Sequence, residues 1–536
     1  MPDALSAAVP HLIRVFGEHG FTESGVSAQL GGAAVAALYR GEPAAVLRAT
    51  NDTGDPGRAE LIRVFLLRRP TGFRELTDLL GTRTVELLDD AGALEHDGES
   101  GGVRISVDIR PRAIDGSDRW VFADPDPALS ARPPGADHVP GVGAASLSLL
   151  QSTPTTPVDS VLDLGTGCGI QLLGQLHCAE RMIGTDIHDR ALDFAEATLA
   201  GTGVPVTREG RRVSRTESHN GGVTMVDLRR GPWFEPVSGL RFDRIIANPP
   251  FVISPGGGFV YRDSGLDLDA ASQLVVSGAV EHLKPGGTAH LLASWVHTGE
   301  SSWTQRVASW IPDTGVAAWV LQRDIADPEL YVGTWLRDGS VDPRSPDGTR
   351  RTAEWLDHFA ENGVTGVGFG FIALQRIDDN LPSEVTAEDF RMNDTSGLGD
   401  EVTEFFTRSA WLRGRTADEV AGSRFLVRPG LAVEDVRTTD DDARLGFRAA
   451  ALRISRTEGP RFSHDIDEHL RAILSGLHPE GLSLAETVEL YCAARGLDPT
   501  RVLPEATAAV VDLIRHGMVL PTDITVSDDG AHEVPR

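Results

Sequence analysis

An apolar strand that leads into a glycine-rich loop is the first segment of the chain where chemistry can be expected. Residues 161–170 read Val-Leu-Asp-Leu-Gly-Thr-Gly-Cys-Gly-Ile, with Asp163 on the strand before the glycines. Glycines at positions 165, 167 and 169 let the backbone turn tightly and let a ligand approach main-chain N–H groups. Dinucleotide-binding folds carry a GxGxxG loop at the same place, so the GxGxG loop alone predicts a nucleotide-like ligand without identifying it.

Two further acids follow predicted strands. Asp186 comes directly after the apolar run 181–185, roughly 20 residues after Asp163, which is the interval at which a second-strand acid meets ribose hydroxyls. Asp227 follows the predicted strand 222–226, and we expect it to meet the exocyclic amine of an adenine. The three acids together predict a site for an adenine nucleoside.

The segment Asn248-Pro249-Pro250-Phe251 ends the predicted strand 242–247. Two prolines end strand pairing and supply no N–H donor, but they hold a carbonyl and the neighbouring side chains rigidly. We expect the Asn248 side-chain oxygen and the Pro249 carbonyl to accept the hydrogens of a planar –NH2 group while Phe251 stacks on its face. This segment therefore predicts an acceptor with an sp2 nitrogen.

These motifs need a sheet that brings the carboxyl ends of their strands to one edge. From residue 158 to about 376, apolar runs alternate with helical patterns, which is typical of a doubly wound parallel sheet. The seven predicted strands are 160–164, 181–185, 222–226, 242–247, 288–296, 317–322 and 366–375. The long connection 323–362 carries two helical patterns, and we expect these helices and the loop 137–146 to close an acceptor pocket over Phe251.

With these motifs the chain resembles the class I S-adenosylmethionine-dependent methyltransferases. Within that class it is similar to the small methyltransferase domain group, which contains the HemK-type protein-glutamine methyltransferases and the ribosomal RNA guanine-N2 methyltransferases. The resemblance covers about residues 137–375 and includes Leu-Lys-Pro-Gly-Gly at 283–287. HemK-type enzymes usually have tyrosine where Phe251 stands.

The resemblance implies S-adenosyl-L-methionine as cofactor and an N-methyltransferase activity. It places the glycine loop and Asp163 by the methionine part of the cofactor, Asp186 on the ribose, and Asp227 with Leu228 by the adenine. The implied cofactor-binding residues are Asp163, Gly165, Thr166, Gly167, Cys168, Gly169, Asp186, Ile187, Asp227, Leu228 and Asn248. The implied catalytic residues are Asn248, Pro249, Pro250 and Phe251.

The predicted fold class is α/β, with a Rossmann-like seven-stranded class I methyltransferase domain over 158–376. An N-terminal helical, winged-helix-like domain over 1–123 precedes it, and a proline- and glycine-rich crossing loop over 124–157 joins the two. A linker over 377–399, a mainly helical domain over 400–521 and a flexible tail over 522–536 follow. The helix predicted at 82–90 is rich in acids, so we expect the N-terminal domain to pack or to orient a substrate.

The net charge and the cysteine content restrict which acceptors and which compartment we expect for this protein. The net charge of −28 repels phosphate backbones and anionic membranes, which favours a protein glutamine-like or small-molecule acceptor. A nucleic-acid base remains the alternative acceptor, through a local basic rim of Arg211, Arg212, Arg215, Arg229 and Arg230. We expect a cytoplasmic protein, because the chain has three cysteines without a CxxC pair and short apolar runs.

Two alternatives of another class stay open. The chain could be a noncatalytic interaction module that retains the cofactor pocket, although the intact Asn-Pro-Pro-Phe segment weighs against this. A nicotinamide-dependent oxidoreductase is disfavoured by the GxGxG spacing and by the lack of a nearby Tyr-x-x-x-Lys pair. The scattered histidines have no metal-ligand spacing, so we expect no metal site.

Overall fold

The computed structural model describes residues 2–51, 54–96, 102–126, 135, 137–209, 211–212, 224–256, 265–390, 394–440, 442 and 444–525. The chain divides into two compact units. The first unit is Met1–Leu150 with Thr155–Arg391, and the second is Gln151–Pro154 with Met392–Arg536. The described helices include none that is both long and apolar enough to cross a membrane.

The N-terminal part of the first unit is mostly helical and ends in short antiparallel strands. Its helices are α1 (Pro2–Glu18), α2 (Glu23–Tyr39), α3 (Pro43–Ala49), α4 (Pro56–Leu61), α5 (Phe73–Leu80) and α6 (Thr82–Asp90). Its strands are β1 (Thr71–Gly72), β2 (Leu94–His96), β3 (Gly102–Ile105), β4 (Asp108–Ile114) and β5 (Ser117–Ala123). A small sheet has the order β1-β3-β2, and β4 pairs with β5 as a separate hairpin. The strands of this region are therefore divided between two sheets.

The large sheet of the first unit contains ten strands among the described residues, in the order β15-β13-β14-β12-β11-β6-β7-β10-β8-β9. The strands are β6 (Val158–Leu164), β7 (Ala179–Asp186), β8 (Val206–Arg208), β9 (Arg211–Arg212), β10 (Met225–Arg230), β11 (Phe242–Ala247), β12 (Leu283–Thr298), β13 (Val316–Ala326), β14 (Val364–Arg376) and β15 (Glu384–Asp389). The helices are α7 (Ala144–Ser152), α8 (Ile170–Leu173), α9 (Asp189–Ala200), α10 (Ala270–His282), α11 (Trp303–Ala308), α12 (Pro328–Asp338) and α13 (Pro346–Glu361).

The register of the sheet brings the predicted motifs to one edge. β6 pairs in parallel with both β7 and β11, and β7 pairs in parallel with β10. Leu164 lies opposite Thr185 and Ala247, and Asp186 lies opposite Arg230. Because parallel strands end at the same edge, the segments after these residues meet there, at the point where the strand order reverses. β14 is antiparallel to β12 and β13, so the sheet is mixed.

The α/β sheet expected from the sequence is present, but its size and two of its boundaries differ. The expected linker 377–399 contains β15, which pairs in parallel with β13. Val385 and Ala387 of β15 pack against the main core, so a strand forms where the mostly polar sequence predicted a linker. The strands β8 and β9 extend the opposite edge, so the prediction of seven strands is wrong.

The expected loop 124–157 is also only partly a loop, because α7 begins inside it. The N-terminal region packs directly on the large sheet's helices, since the Phe122 N–H donates to Thr198 Oγ1 at 3.0 Å. Arg190 at the start of α9 forms an ion pair with Asp124. The region predicted as a separate domain therefore shares one compact unit with the sheet.

Two buried clusters hold the sheet together. One face packs against α10 and α11 through Leu162, Ile245, Val275, Val276, Trp295 and Val307. The second cluster joins the ends of β12 and β14 to α12 and α13 through Val296, Val332, Leu336, Trp355, Phe359 and Val367. Val252 and Ile253 belong to this second cluster, so the chain just after Phe251 is packed against the inserted helices.

The second unit mixes helices and strands. Its elements are α14 (Leu398–Arg413), α15 (Ala417–Ala421), β16 (Phe425–Val427), β17 (Leu431–Thr439), β18 (Phe447–Arg456), β19 (Ser463–Ile466), α16 (Glu468–Gly476), α17 (Leu484–Arg495), α18 (Pro499–Arg515), β20 (Val519–Pro521) and α19 (Thr522–Thr525). The strands β17, β18 and β19 form an antiparallel sheet, so the prediction of a mainly helical domain is incomplete. Much of β17 is exposed and polar, and it lacks the apolar alternation that reveals a strand.

The expected tail begins with α19, and residues 526–536 lie outside the described part of the chain. Inside the second unit, Glu401 is buried between Arg408 and Arg456, with oxygen–nitrogen distances of 2.6 and 2.7 Å. Removing one member of such a buried charge network leaves the others without compensation. This network and the apolar cluster around Phe425 and Val510 stabilise the unit.

Candidate active site

The glycine loop after β6 has the backbone that its sequence predicts. Gly165, Gly167 and Gly169 have φ angles of +72°, +52° and +80°, a region that side chains disfavour. A Cβ added at Gly169 would lie 3.2 Å from the Cα of Ala195 in α9, so this glycine also permits close packing. A Cβ at Gly165 or Gly167 would meet no described atom within 4 Å, which leaves room beside the loop.

Asp186 at the end of β7 is tied to this loop. One carboxylate oxygen accepts the Gly167 N–H at 3.0 Å, and the other accepts the His188 N–H at 3.0 Å. Burial raises the pKa of Asp186, and the two N–H donors oppose that rise. A carboxylate has about four acceptor positions, so Asp186 keeps acceptor capacity for a ligand hydroxyl. Ile187, the next residue, is 46% exposed.

Asp163 lies beneath the loop and is 1% exposed. The Thr166 hydroxyl donates to its carboxylate at 2.6 Å. Burial is the main cause that raises the pKa of Asp163 to about 7, and the charge of Asp186 adds to it. A buried acid that is half ionised near neutral pH is poised to receive a cationic group.

Cys168, also in the loop, has a buried side chain. It is 4% exposed, and burial raises the pKa of its thiol to about 12. The thiol therefore stays protonated at neutral pH and is not a nucleophile.

Asp227 is not where the sequence predicted it. The strand β10 runs through it, so Asp227 lies opposite Ile183, below the level of Asp186. Its two carboxylate oxygens accept bonds from the Thr207 hydroxyl and from Arg229 Nε, both at 2.7 Å. Leu228 is completely buried in the sheet. The strand was predicted to end at residue 226, whereas its pairing with β7 continues to Arg230.

Arg229 and Arg230, and not Asp227, lie at the end of β10, at the same edge of the sheet as the glycine loop and Asp186. Arg230 lies opposite Asp186 and forms an ion pair with Asp189 at 2.9 Å. Arg229 is paired with Asp227. Of the remaining members of the predicted basic rim, Arg215 lies outside the described residues, as do the side chains of Arg211 and Arg212. The two described arginines are thus held by acids of the same chain.

Asn248 to Phe251 follow β11 at the same edge, as predicted. Asn248 is partly exposed, and among the described residues its side chain has no hydrogen-bond partner. The Phe251 ring lies 5.0 Å from the Phe369 ring, measured between centroids. The Phe251 carbonyl accepts the Ser294 hydroxyl at 2.5 Å.

Three residues beside this segment were not predicted. Ser294, Phe369 and Arg323 lie on β12, β14 and β13, which continue beyond the end of β11 and form a wall above the edge. The Arg323 guanidinium lies 4.8 Å from the centroid of Phe369. The apolar runs of these strands are long enough to suggest the extension, but only strand pairing shows which side chains adjoin Phe251.

The inserted helices contact the chain two residues after Phe251, and their closing of a pocket over Phe251 stays a prediction. The Ile253 N–H donates to the Tyr331 hydroxyl of α12 at 2.9 Å, and Trp355 Nε1 of α13 donates to the Ile253 carbonyl at 2.9 Å. The segment 137–146 lies near the glycine loop. Gln171, in the helix α8 that follows the loop, donates from Nε2 to the Ser146 carbonyl at 2.8 Å.

The arrangement fits a cofactor with a cationic amino-acid end and a ribose. Asp163 offers a buried acid to the cation, the glycine loop has space beside it, and Asp186 offers an acceptor to hydroxyls. In the part of the chain that the structure describes, no cluster of three histidine, cysteine, aspartate or glutamate residues could hold a metal ion.

Comparison with protein families gives two matches. A domain of unknown function, DUF7059, matches residues 18–106, and another, DUF7782, matches residues 403–521. Both matched segments lie outside the large sheet.

Comparison with curated proteins finds methyltransferases. The chain is 30% identical over 151 residues to the release factor glutamine methyltransferase of Xylella fastidiosa (strain Temecula1), covering 25% of this chain and 46% of that protein. It is 29% identical over 163 residues to the ribosomal RNA small subunit methyltransferase C of Erwinia tasmaniensis, covering 30% and 39%. The chain thus spans less than half the length of these relatives. The resemblance predicted from the motifs is confirmed.

Among solved structures, the chain is similar to a T. thermophilus 16S rRNA N2 G1207 methyltransferase in complex with AdoMet and guanosine. The identity is 20%, the match covers 45% of this chain and 56% of that one, and the TM-score is 0.26.

Proposed function

We propose that this protein is an S-adenosylmethionine-dependent N-methyltransferase that acts on a planar amide or aromatic amine nitrogen. One observation carries the proposal. The register of β6, β7 and β11 places the glycine loop, Asp186 and the Asn-Pro-Pro-Phe segment at one edge of the sheet. A nucleoside site and a site for an –NH2 group are thereby adjacent, as methyl transfer between them requires.

The residues that would hold the cofactor follow from the geometry. Asp163 would receive the ammonium of the methionine end, residues 165–169 would line the sulfonium region, and Asp186 would accept ribose hydroxyls. When bound, S-adenosylmethionine supplies an electrophilic methyl group. Asp227 is left out of the proposed site because it lies inside β10 opposite Ile183, three residues before the level of Asp186.

The chain's own residues act on the acceptor. The side-chain oxygen of Asn248 and the carbonyl of Pro249 accept the two hydrogens of the –NH2 group, which fixes the direction of the nitrogen lone pair. Phe251 packs on the face of the planar group, and Phe369 supports the Phe251 ring. The two acceptor oxygens stabilise the positive charge that develops on the nitrogen as it takes the methyl group. A strong base is not needed, because the nitrogen loses one proton to solvent after the transfer.

A protein glutamine-like or small-molecule acceptor is favoured by the charge of the site. Arg229 and Arg230, the described members of the predicted basic rim, each form an ion pair with an acid of the same chain, Asp227 and Asp189, which reduces their attraction for a phosphate backbone. A ribosomal RNA base is the second candidate, and the similarity to a ribosomal RNA small subunit methyltransferase C supports it. Both candidates present the planar –NH2 group that the Asn248 segment predicts.

A labelling experiment tests the proposal. The full chain is incubated with S-adenosylmethionine carrying a tritiated methyl group and, separately, with a purified release factor, ribosomal RNA or a small-molecule extract. The Asn248→Ala variant serves as the control. Label that enters the release factor or the small molecules supports the favoured acceptor, and label in RNA supports the second. Cofactor binding without transfer to any fraction would instead support the noncatalytic module.

A further inference from the structure

Both main-chain groups of Ile253 are held by side chains from the helical insertion. Tyr331 accepts its N–H and Trp355 donates to its carbonyl, each at 2.9 Å. Ile253 is 1% exposed, so water does not replace these bonds. The two partners belong to different helices, α12 and α13, and both reach the same residue two positions after Phe251.

The segment depends on such external bonds because of its own composition. Pro249 and Pro250 have no N–H, so they cannot pair with a neighbouring strand. The Phe251 carbonyl is held by the Ser294 hydroxyl of β12. Beyond it, Ile253 is the next point at which the described structure fixes the main chain by side-chain hydrogen bonds. The C-terminal end of the segment is therefore fixed by residues outside it.

Tyr331 and Trp355 are themselves held rigidly. Their rings meet edge to face, with centroids 6.2 Å apart and planes at 85°. The Phe359 ring lies 5.9 Å from Tyr331 on another side. Tyr331 and Trp355 are 8% and 7% exposed, so their polar atoms have little freedom to leave Ile253. The buried aromatic rings therefore hold the Tyr331 hydroxyl and the Trp355 N–H in position to bond the main chain of Ile253.

We infer that Tyr331 and Trp355 are positioning residues for methyl transfer, which act by fixing Ile253 and so set the Asn248 side chain and the Phe251 ring against the cofactor loop. This inference rests on the proposed function. The role inferred for the helices of the insertion differs from the one expected from the sequence, which was to close the acceptor pocket. In this role, α12 and α13 hold the Asn-Pro-Pro-Phe segment in place through Ile253 and do not need to contact the acceptor.

The test uses the full chain with Tyr331→Phe, Trp355→Phe and the double substitution. Tyr331→Phe removes only the hydroxyl, whereas Trp355→Phe removes the indole N–H together with part of the ring volume, so it is compared with a Trp→Phe control. Hydrogen exchange measured by mass spectrometry should show the Ile253 amide exchanging about tenfold faster in Tyr331→Phe. The turnover number with the acceptor found in the labelling experiment should fall about tenfold in the double variant, because the reacting groups lose alignment. Cofactor affinity should stay within about twofold of the wild type.

Two control substitutions remove the same kinds of polar group elsewhere, a phenol at the exposed Tyr39 and an indole N–H at the buried Trp319. Tyr39→Phe removes a phenol that accepts Arg112 at 2.6 Å, and Trp319→Phe removes an indole N–H that donates to Glu388 at 2.6 Å. Both should leave turnover and exchange at Ile253 unchanged.

Unchanged exchange at Ile253 in Tyr331→Phe would overturn the inference, and so would an equal loss of turnover in the controls. If the wild type transfers no methyl group, the proposed function fails and the inference fails with it. Normal wild-type transfer that persists in the double variant overturns the inference alone.

Discussion

The Gly167 N–H donates to the Asp186 carboxylate at 3.0 Å, which joins the loop after β6 to the acid that ends β7. The acid is thereby fixed by the same loop that would border the cofactor. Asp186 is preorganised, because its orientation does not have to be established when a ribose arrives. The nucleoside side of the proposed site is thus a single hydrogen-bonded unit.

Asp186→Ala should weaken the binding of S-adenosylmethionine by about 1.5 to 3 kcal/mol, the cost of losing charge-assisted hydrogen bonds. The substitution removes both the acceptor for ribose and the bond that holds Gly167. Isothermal titration calorimetry measures the change, with Asp159→Ala as a control at an exposed acid on β6. Unchanged affinity in Asp186→Ala would remove this residue from the cofactor site.

Asn248→Ala should lower turnover by about 100-fold while leaving cofactor affinity nearly unchanged, since an interaction made mainly in the transition state is expressed in kcat. The measurement combines tritium transfer with calorimetry on the same preparation. A loss confined to cofactor binding would contradict the role given to the Asn248 amide oxygen.

Gly169→Ala should destabilise the protein more than Gly203→Ala does. Both glycines have a positive φ, +80° and +76°, so each substitution carries a backbone cost of about 1 to 2 kcal/mol. At Gly169 the added Cβ would lie 3.2 Å from the Cα atom of Ala195 in α9, whereas at Gly203 it would meet no described atom within 4 Å. Urea unfolding should separate the two variants, and equal losses would show that the contact with α9 relaxes freely.

The buried carboxyl of Asp163 should give the protein a pH-dependent stability. Its pKa is about 7 in the folded chain and about 3.9 when unfolded, so the folded state binds the extra proton between these values. Stability therefore falls as pH rises through this window, by up to about 1.4 kcal/mol per pH unit.

Asp163→Asn removes the titrating group and should flatten this dependence. Urea unfolding at pH 5 and pH 7 should show the variant gaining about 2 kcal/mol relative to the wild type at the higher pH. Parallel profiles for the two proteins would mean that Asp163 is ionised throughout the range.

The local motifs were predictable from the sequence because their conformations are set within a few residues. Three glycines in the spacing GxGxG require a tight turn with positive φ angles, and the structure has one at 165–169. The consecutive prolines 249 and 250 end β11 where the sequence predicts. Apolar runs located the strands of the central sheet, because strands buried on both faces carry continuous apolar residues.

The sequence did not predict the elements whose stability comes from distant partners. The strand β15 has few apolar residues and exists because β13 offers it a free edge. The strands β17 and β18 pair with each other, although their sequences do not alternate apolar and polar residues as a half-buried strand does. Asp227 looked like a loop acid because its strand was predicted to end at residue 226, whereas pairing with β7 continues to Arg230.

The sequence by itself therefore determined the α/β class, the glycine loop and the Asn-Pro-Pro-Phe turn, since each depends on backbone chemistry that neighbouring residues dictate. Only the tertiary structure decided which distant side chains complete the site. Tyr331 and Trp355 lie far along the chain from Ile253, and Ser294 and Phe369 reach Phe251 through strand register alone. Such contacts depend on how whole elements pack, and no spacing in the sequence encodes them.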